Sequence, residues 1–223
     1  YDRFTRLHKP VGSSLQYNPT LNYQSMRLQL YSDYEAMDHD PIIAAALDII
    51  SDETTNRNEY GDILNIQSSD ENVRKVLHNL FYDVLNIEFN LSTWIRNMCK
   101  YGDFYLKMEV SEKFGVYNVI PLSVYEVVRE EGTDPSNPSY VRFTMDPNGL
   151  ASGATNTIRR DQFTLENYEV AHFRLLTDSN YLPYGKSQIE GARKIYKQLT
   201  LMEDAMLIHR IMRAPEKRIF KLD

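Results

Sequence analysis

The chain changes its hydrophobic pattern near residue 102. Before it, apolar residues recur every three or four positions, most clearly over residues 73–85, which predicts an amphipathic helix with a buried face. A second helical run covers residues 91–98 and meets Gly102, a residue suited to the left-handed end of a helix. Asp40-Pro41 predicts the start of an earlier helix, with Asp40 as cap and Pro41 in the first position.

After residue 102 the pattern is that of strands separated by turns. Proline, glycine and Asx residues cluster at 132–138 and 146–149, which predicts loops there. Residues 58–66 predict a turn and a short strand, whereas residues 1–32 are Tyr-, Asn- and Ser-rich without a period, typical of a loosely ordered arm. Helices first, an antiparallel sheet next and a long helix last make an α+β fold. The predicted strands cover residues 104–110, 116–122, 124–129, 140–145 and 168–176.

The long last helix is expected to begin at Ser187 and to end before Pro215, about 27 residues or roughly 40 Å. Ser187 and Glu190 have the spacing of a capping box. Its first half has an apolar stripe, and the opposite side is expected to face water. The stripe comprises Ala192, Ile195, Leu199 and Met202, and the opposite side Arg193, Lys197 and Asp204.

The second half of this helix is apolar nearly all the way round. The original stripe passes from Met206 into Arg210 and Arg213, while the other sides carry Leu207, Ile208, Ile211 and Met212. A helix that is apolar on all sides has to be enclosed by protein. Neighbouring subunits are the expected enclosure, and a deep core within one chain is the alternative.

Composition excludes several classes of protein. At 223 residues and a net charge of −6, the chain is large enough for a real core and too acidic to grip nucleic acid over its whole surface. Its single cysteine, Cys99, excludes an intrachain disulfide and a Cys-rich zinc site, and we expect it in the core. The chain starts at Tyr1 without methionine and stops in mid-pattern, so we expect part of a longer protein.

Two short motifs suggest chemistry at first sight. Gly185-Lys186-Ser187 ends like a phosphate-binding loop, but the required upstream glycine is Asn180, and Pro183 lies in between. Residues 38–40 offer three potential metal ligands, yet consecutive residues do not converge easily on one ion. No other catalytic motif is present, so we predict no enzyme, no cofactor and no metal.

The last third of the chain resembles a known family. Residues 171–176, 182–187 and 198–218 closely resemble the portal proteins of T-even-like contractile-tailed phages, including those that infect cyanobacteria. Asp40-Pro41 with residues 46–49 is similar to the family's early wing helix. The resemblance spans most of the chain, strongly after residue 165.

The resemblance implies a subunit of a twelve-membered ring at one capsid vertex, through which the genome is packaged and later ejected. It implies an N-terminal arm at 1–39, a wing at 40–186, a stem helix at 187–214 and the start of the clip at 215–223. The rest of the clip, the second stem helix, the tunnel loop and the crown would lie outside the chain.

The implied partners are identical copies, the major capsid protein, the large terminase packaging motor, neck and head-completion proteins, and double-stranded DNA that passes without sequence recognition. The implied location is the virion, with assembly in the host cytoplasm. A monomeric α+β scaffold or adaptor domain is the alternative, and a nucleotide-binding enzyme is the least favoured. The candidate interface or channel residues are Arg193, Lys197, Met206, Ile208, Arg210, Ile211 and Arg213.

Overall fold

Helices and two small sheets make up the part of the chain that the computed structural model describes, residues 19–59, 61–131, 137, 140–145, 163–176 and 182–214. This is the predicted α+β fold. The helices are α1 Pro19–Asp38, α2 Pro41–Thr54, α3 Glu71–His78, which continues as a π-helical segment Asn79–Val84, α4 Ile87–Tyr101 and α5 Glu190–Arg213. The strands are β1 Asp103–Ser111, β2 Gly115–Leu122, β3 Val127–Glu131, β4 Val141–Met145, β5 Phe163–Glu166 and β6 Val170–Arg174.

The strands form two antiparallel sheets of three strands each, with orders β2-β1-β6 and β3-β4-β5. In the first sheet Tyr105 lies between Leu122 and His172. In the second, Phe143 lies between Arg129 and Leu165. Tyr105 and Phe143 meet edge to face, with ring centroids 6.2 Å apart, so the two sheets share one core.

Two helix ends follow the local signals in the sequence. Asp40 Oδ1 accepts a hydrogen bond of 2.8 Å from the Ile42 amide, and Pro41 is the first residue of α2. Gly102 ends α4 with φ of 84°, and its amide donates to the Met98 carbonyl at 2.7 Å. Both predictions are confirmed, because capping and a left-handed glycine depend only on neighbouring residues.

The core is continuous from the helices to the sheets. The predicted core position of Cys99 is confirmed, since it is 4 % exposed. Among the described residues, none of the helices combines the length and the hydropathy that crossing a bilayer requires. The fully buried side chains come from α1, α2 and both sheets and include Tyr34, Met37, Leu47, Tyr105, Val127 and Phe143.

Helix α1 is a helix that the hydrophobic pattern of the sequence did not predict. Reading residues up to 32 as a loosely ordered lead-in is wrong for 19–32, which are helical. The buried positions Arg27, Tyr31, Tyr34 and Met37 have helical spacing, but one arginine and two tyrosines do not register as an apolar stripe. Residues 1–18 lie outside the described part, and the boundaries of the arm and wing stay predictions.

Other differences from expectation are smaller. Residues 61–66 contain no strand, and the short strand β5 was not predicted. The predicted run 73–85 is helical up to Val84, but Val73 and Val76 on its apolar face are 46 % and 67 % exposed. The predicted loops at 132–138 and 146–149, apart from Asn137, and the predicted clip start at 215–223 lie outside the described residues.

Candidate functional site

The segment 182–189, called the junction below, immediately precedes α5 and packs against the end of α4. At its centre, Gly185 approaches Gly102 so closely that a Cβ on Gly185 would lie 1.9 Å from the Gly102 carbonyl oxygen. No side chain fits there, because Cβ atoms do not approach backbone atoms below about 3 Å. The glycine of the Gly-Lys-Ser motif is therefore required by packing.

The amide groups of the junction are already used inside the chain. The Gly185 amide donates to Asp103 Oδ1 at 2.9 Å and the Lys186 amide donates to the Leu175 carbonyl at 3.0 Å. The Gln188 amide donates to the Cys99 carbonyl at 3.0 Å. A phosphate-binding loop needs such amides free to point at phosphate oxygens, and an adjacent carboxylate opposes an anion. This geometry does not fit the nucleotide hypothesis.

The predicted capping box at the start of α5 is wrong. The helix begins at Glu190, and the Ser187 hydroxyl accepts from the Ile189 amide at 3.1 Å and donates to the Cys99 carbonyl at 3.2 Å. The Glu190 carboxylate instead accepts from the Tyr34 hydroxyl at 2.6 Å. Because partners from α4 and α1 compete for both side chains, neither caps α5.

One buried carboxylate joins the junction to three other elements. Asp103, 1 % exposed, accepts on Oδ1 from His172 Nε2 at 2.9 Å as well as from Gly185. Its Oδ2 accepts from the Tyr31 hydroxyl at 3.3 Å, and that hydroxyl accepts from Arg27 Nη2 at 2.6 Å. Strands β1 and β6, helix α1 and the junction therefore converge on Asp103.

His172 is held in one tautomer by its two neighbours. Arg129 Nη1, 3.2 Å from Nδ1, can only donate a hydrogen bond, so Nδ1 is the acceptor. Nε2 therefore carries the proton and donates a hydrogen bond to Asp103. Burial lowers the pKa of the His172 imidazole, although Asp103 acts in the opposite direction. The side chain is 3 % exposed and closed to a substrate, so its chemistry is structural.

Helix α5 is attached to the body along one side, through α1. Asp33 Oδ2 accepts from Lys197 Nζ at 2.6 Å and from Arg193 Nη1 at 3.0 Å, and the Tyr196 hydroxyl donates to the Ala36 carbonyl at 3.0 Å. Burial raises the pKa of the Asp33 carboxyl, but the hydrogen bonds from Lys197 and Arg193 outweigh it and hold the pKa below its usual value. Two predicted interface residues are therefore neutralised within the chain, and their role at an interface stays a prediction.

The prediction that the apolar side of the first half of α5 turns inward is wrong. The side with Arg193, Lys197 and Asp204 lines the groove against α1, although Lys197 and Asp204 remain exposed. The predicted apolar stripe is open instead, with Ile195, Leu199 and Met202 at 66 %, 45 % and 64 % exposure. The ion pairs with Asp33 and the Tyr196 hydroxyl determine which side of α5 packs on α1. None of the described residues covers the apolar stripe.

The second half of α5 is exposed on all sides in the single chain. The candidates Arg210 and Arg213 are exposed as well. From Met206 onward, five apolar side chains are more than half exposed: Met206, Leu207, Ile208, Ile211 and Met212. Such a surface on a folded chain marks an interaction site.

The two carboxylates of the 38–40 motif make contacts other than metal binding. Asp38 bonds Arg96 at 2.8 Å and Lys100 at 2.9 Å, which ties α1 to α4, and Asp40 caps α2. In the described part of the chain, no three His, Cys, Asp or Glu side chains group as metal ligands. The residues that sequence reasoning missed are Arg27, Asp33 and Asp103. Asp33 and Asp103 bond residues far away in the sequence, and Arg27 lies over the ring of the distant Tyr184.

A comparison with known families identifies the family of the chain. The family model described as Bacteriophage T4-like portal protein (Gp20) matches residues 27–223, from the buried Arg27 to the end of the chain. No curated protein matches the chain. Because the family model covers most of the chain, including all of α2 to α5 and both sheets, the chain belongs to the T4-like phage portal protein family.

Proposed function

We propose that identical copies of this chain form a ring of twelve at one capsid vertex, and that DNA is packaged and ejected through that ring. Family membership makes the chain a structural component of a phage portal in the virion. The number of subunits, the conduit and its use in packaging and ejection are the proposal. The scaffold or adaptor alternative differs from it in having no ring.

The exposed apolar surface of α5 carries this proposal. A helix attached by one side to its own chain, with large apolar side chains open on its other sides, needs further protein around it. In a ring of identical chains, the next copy supplies that protein. Residues 40–186 are then the wing, 187–214 the stem helix, 215–223 the beginning of the clip and 1–39 the arm.

The charge of the chain suits a channel through which DNA slides. Asp and Glu outnumber Lys and Arg by six, so the chain as a whole repels phosphates and DNA would not be held tightly over its whole surface. Movement of DNA then depends on a separate motor, the large terminase, docked on the ring. The major capsid protein and the neck and head-completion proteins are the other proposed partners, with assembly in the host cytoplasm.

Arg210 and Arg213 are proposed to meet carboxylates of an adjacent copy. Both lie at the exposed end of α5, near the C-terminal negative end of the helix dipole, which stabilises cations there by about 0.3–1 kcal/mol. This stabilisation is too small to bury the two guanidinium groups in a ring, because an unpaired buried charge costs several kcal/mol. DNA phosphates are the alternative partners.

Native mass spectrometry of the purified chain, with electron microscopy of the same sample, tests the ring. Discrete closed oligomers are expected, whereas a monomer at all concentrations would support the scaffold alternative. Arg210→Ala with Arg213→Ala should impair ring formation without DNA. Normal rings from that double variant that fail only in packaging would assign the two arginines to DNA.

A further inference from the structure

The apolar surface of α5 changes sides within the helix. Near the start lies strip A, made of Ile195, Leu199, Met202 and Met206, which are 66 %, 45 %, 64 % and 55 % exposed. Nearer the end lies strip B, made of Leu201, Ile208, Ile211 and Met212, which are 70 %, 57 %, 64 % and 73 % exposed. No charged residue lies among the members of strip A, whereas Asp204 lies on the side of strip B, between Leu201 and Ile208.

The two strips point in nearly opposite directions. At about 100° per residue, the middle of strip B lies roughly 150° around the helix from the middle of strip A. Strip A faces away from α1, because Arg193 and Lys197 on the other side bond Asp33. Strip B begins at Leu201, at the edge of the groove against α1, and runs past Asp204, the last α5 residue that lines the groove.

Two apolar strips on opposite sides are what a head-to-tail assembly needs. In a ring of identical chains, a surface on one side of each copy meets a different surface on the next copy. A two-fold dimer would instead need one strip that pairs with itself. The core of a protein interface is depleted of charge and often contains methionine, as these strips do with Met202, Met206 and Met212.

We propose that strip A of each copy packs against strip B of the next copy, an inference that rests on the proposed ring. The middles of the strips are about seven residues apart, or about 11 Å along the helix. Parallel neighbours that join these strips are therefore staggered by that amount. Each α5 is then inclined to the ring axis.

Cysteine cross-linking tests the pairing. Met202→Cys places a thiol in strip A and Ile208→Cys places one in strip B. Within one helix these positions are about 9 Å apart along the axis, too far for an intrachain disulfide. Cys99 is 4 % exposed and stays in place, and the parent chain controls for it.

Oxidation of the double variant M202C/I208C should give a ladder of covalent oligomers on a denaturing gel, with each single variant remaining one chain long. The control T200C/I208C, whose Thr200 lines the groove with α1, should give no ladder. Native mass spectrometry before oxidation establishes whether every variant forms rings.

The outcomes separate this inference from the ring itself. Rings without a ladder from M202C/I208C would overturn the strip pairing and leave the proposed function standing. Dimers from M202C alone would overturn it in favour of a two-fold contact. Monomers from the parent chain would overturn both proposals.

Discussion

The two ends of α5 are built in opposite ways. At its start, the junction has its backbone bonded to three other elements, Gly185 touches Gly102, and Asp103 accepts from Gly185 and His172. At its end, apolar side chains such as Ile211 and Met212 are 64 % and 73 % exposed. The first end stabilises the chain and the second contributes little to its stability. Substitutions at the two ends should therefore affect different measurements, unfolding at the start and assembly at the end.

Gly185→Ala should have the largest effect on stability. Its Cβ would lie 1.9 Å from the Gly102 oxygen, a backbone atom that cannot move without shifting α4 and β1. We expect a loss of more than about 4 kcal/mol in the free energy of unfolding, measured by urea denaturation.

Gly191→Ala is the matched control for this change. Apart from its chain neighbours and the backbone of α5 itself, no heavy atom lies within 4 Å of its added Cβ. Because Gly191 is helical, alanine should stabilise the chain by about 0.5–1 kcal/mol. Equal urea denaturation curves for the two variants would show that the junction is not tightly packed.

The contrast between Gly102 and Gly185 shows how far sequence reasoning reaches. The left-handed end of α4 at Gly102 was predictable because a helix end is a local feature. The role of Gly185 was not, because the atom that excludes a side chain belongs to a residue 83 positions earlier. The capping box failed for a related reason, since Ser187 reaches Cys99 on another helix.

The same limit applies to the side on which α5 docks. The sequence shows that α5 has an apolar side and a charged side. Because apolar sides usually turn inward, the apolar side was expected to dock on the body of the chain, and this expectation is wrong. The partners of Arg193 and Lys197 are on α1, at Asp33, and α1 was not predicted as a helix. The helical spacing of Arg27, Tyr31 and Tyr34 was the available signal.

His172→Gln should change how stability depends on pH. The pKa of His172 in the folded chain lies below its usual 6.5. The neutral imidazole therefore contributes fully to the free energy of unfolding above pH 6.5, and this contribution is lost as the pH falls through the folded pKa. The parent should lose up to about 1.4 kcal/mol per pH unit in that interval from this group. Glutamine keeps a donor for Asp103 and does not titrate.

Urea denaturation at pH 7.5 and at pH 5 measures the difference. The exposed His209 provides the control, because His209→Gln should leave the parent's pH dependence unchanged. If His172→Gln retains the parent's full loss between the two pH values, His172 does not control acid sensitivity.

Asp33→Asn should have a moderate effect that depends on salt. Asp33 accepts from Arg193 and Lys197, which are 30 % and 50 % exposed, so water weakens both ion pairs. We expect a loss of about 1 kcal/mol at low ionic strength that shrinks in about 1 M salt. Thermal melts at both salt concentrations measure it.

The control for Asp33→Asn is Asp52→Asn, at an exposed position on α2. That variant should melt like the parent at both salt concentrations. A loss for Asp33→Asn that is equal at low and high salt would mean that packing, and not ion pairing, attaches α5 to α1.

Met202→Glu should have the smallest effect on the free energy of unfolding but should prevent ring assembly. Met202 is 64 % exposed in strip A, so a charge there stays in water in the single chain and changes the free energy of unfolding by less than about 0.5 kcal/mol. In the ring the same carboxylate would be buried against strip B without a partner, which costs several kcal/mol at every contact. Gln198→Glu, four residues earlier on the same exposed helix and outside both strips, should assemble normally. Melting curves and native masses of the two variants test this prediction. A Met202→Glu chain that still forms rings would show that strip A is not part of the interface. A Met202→Glu chain whose free energy of unfolding falls by several kcal/mol would show that this end of α5 stabilises the single chain.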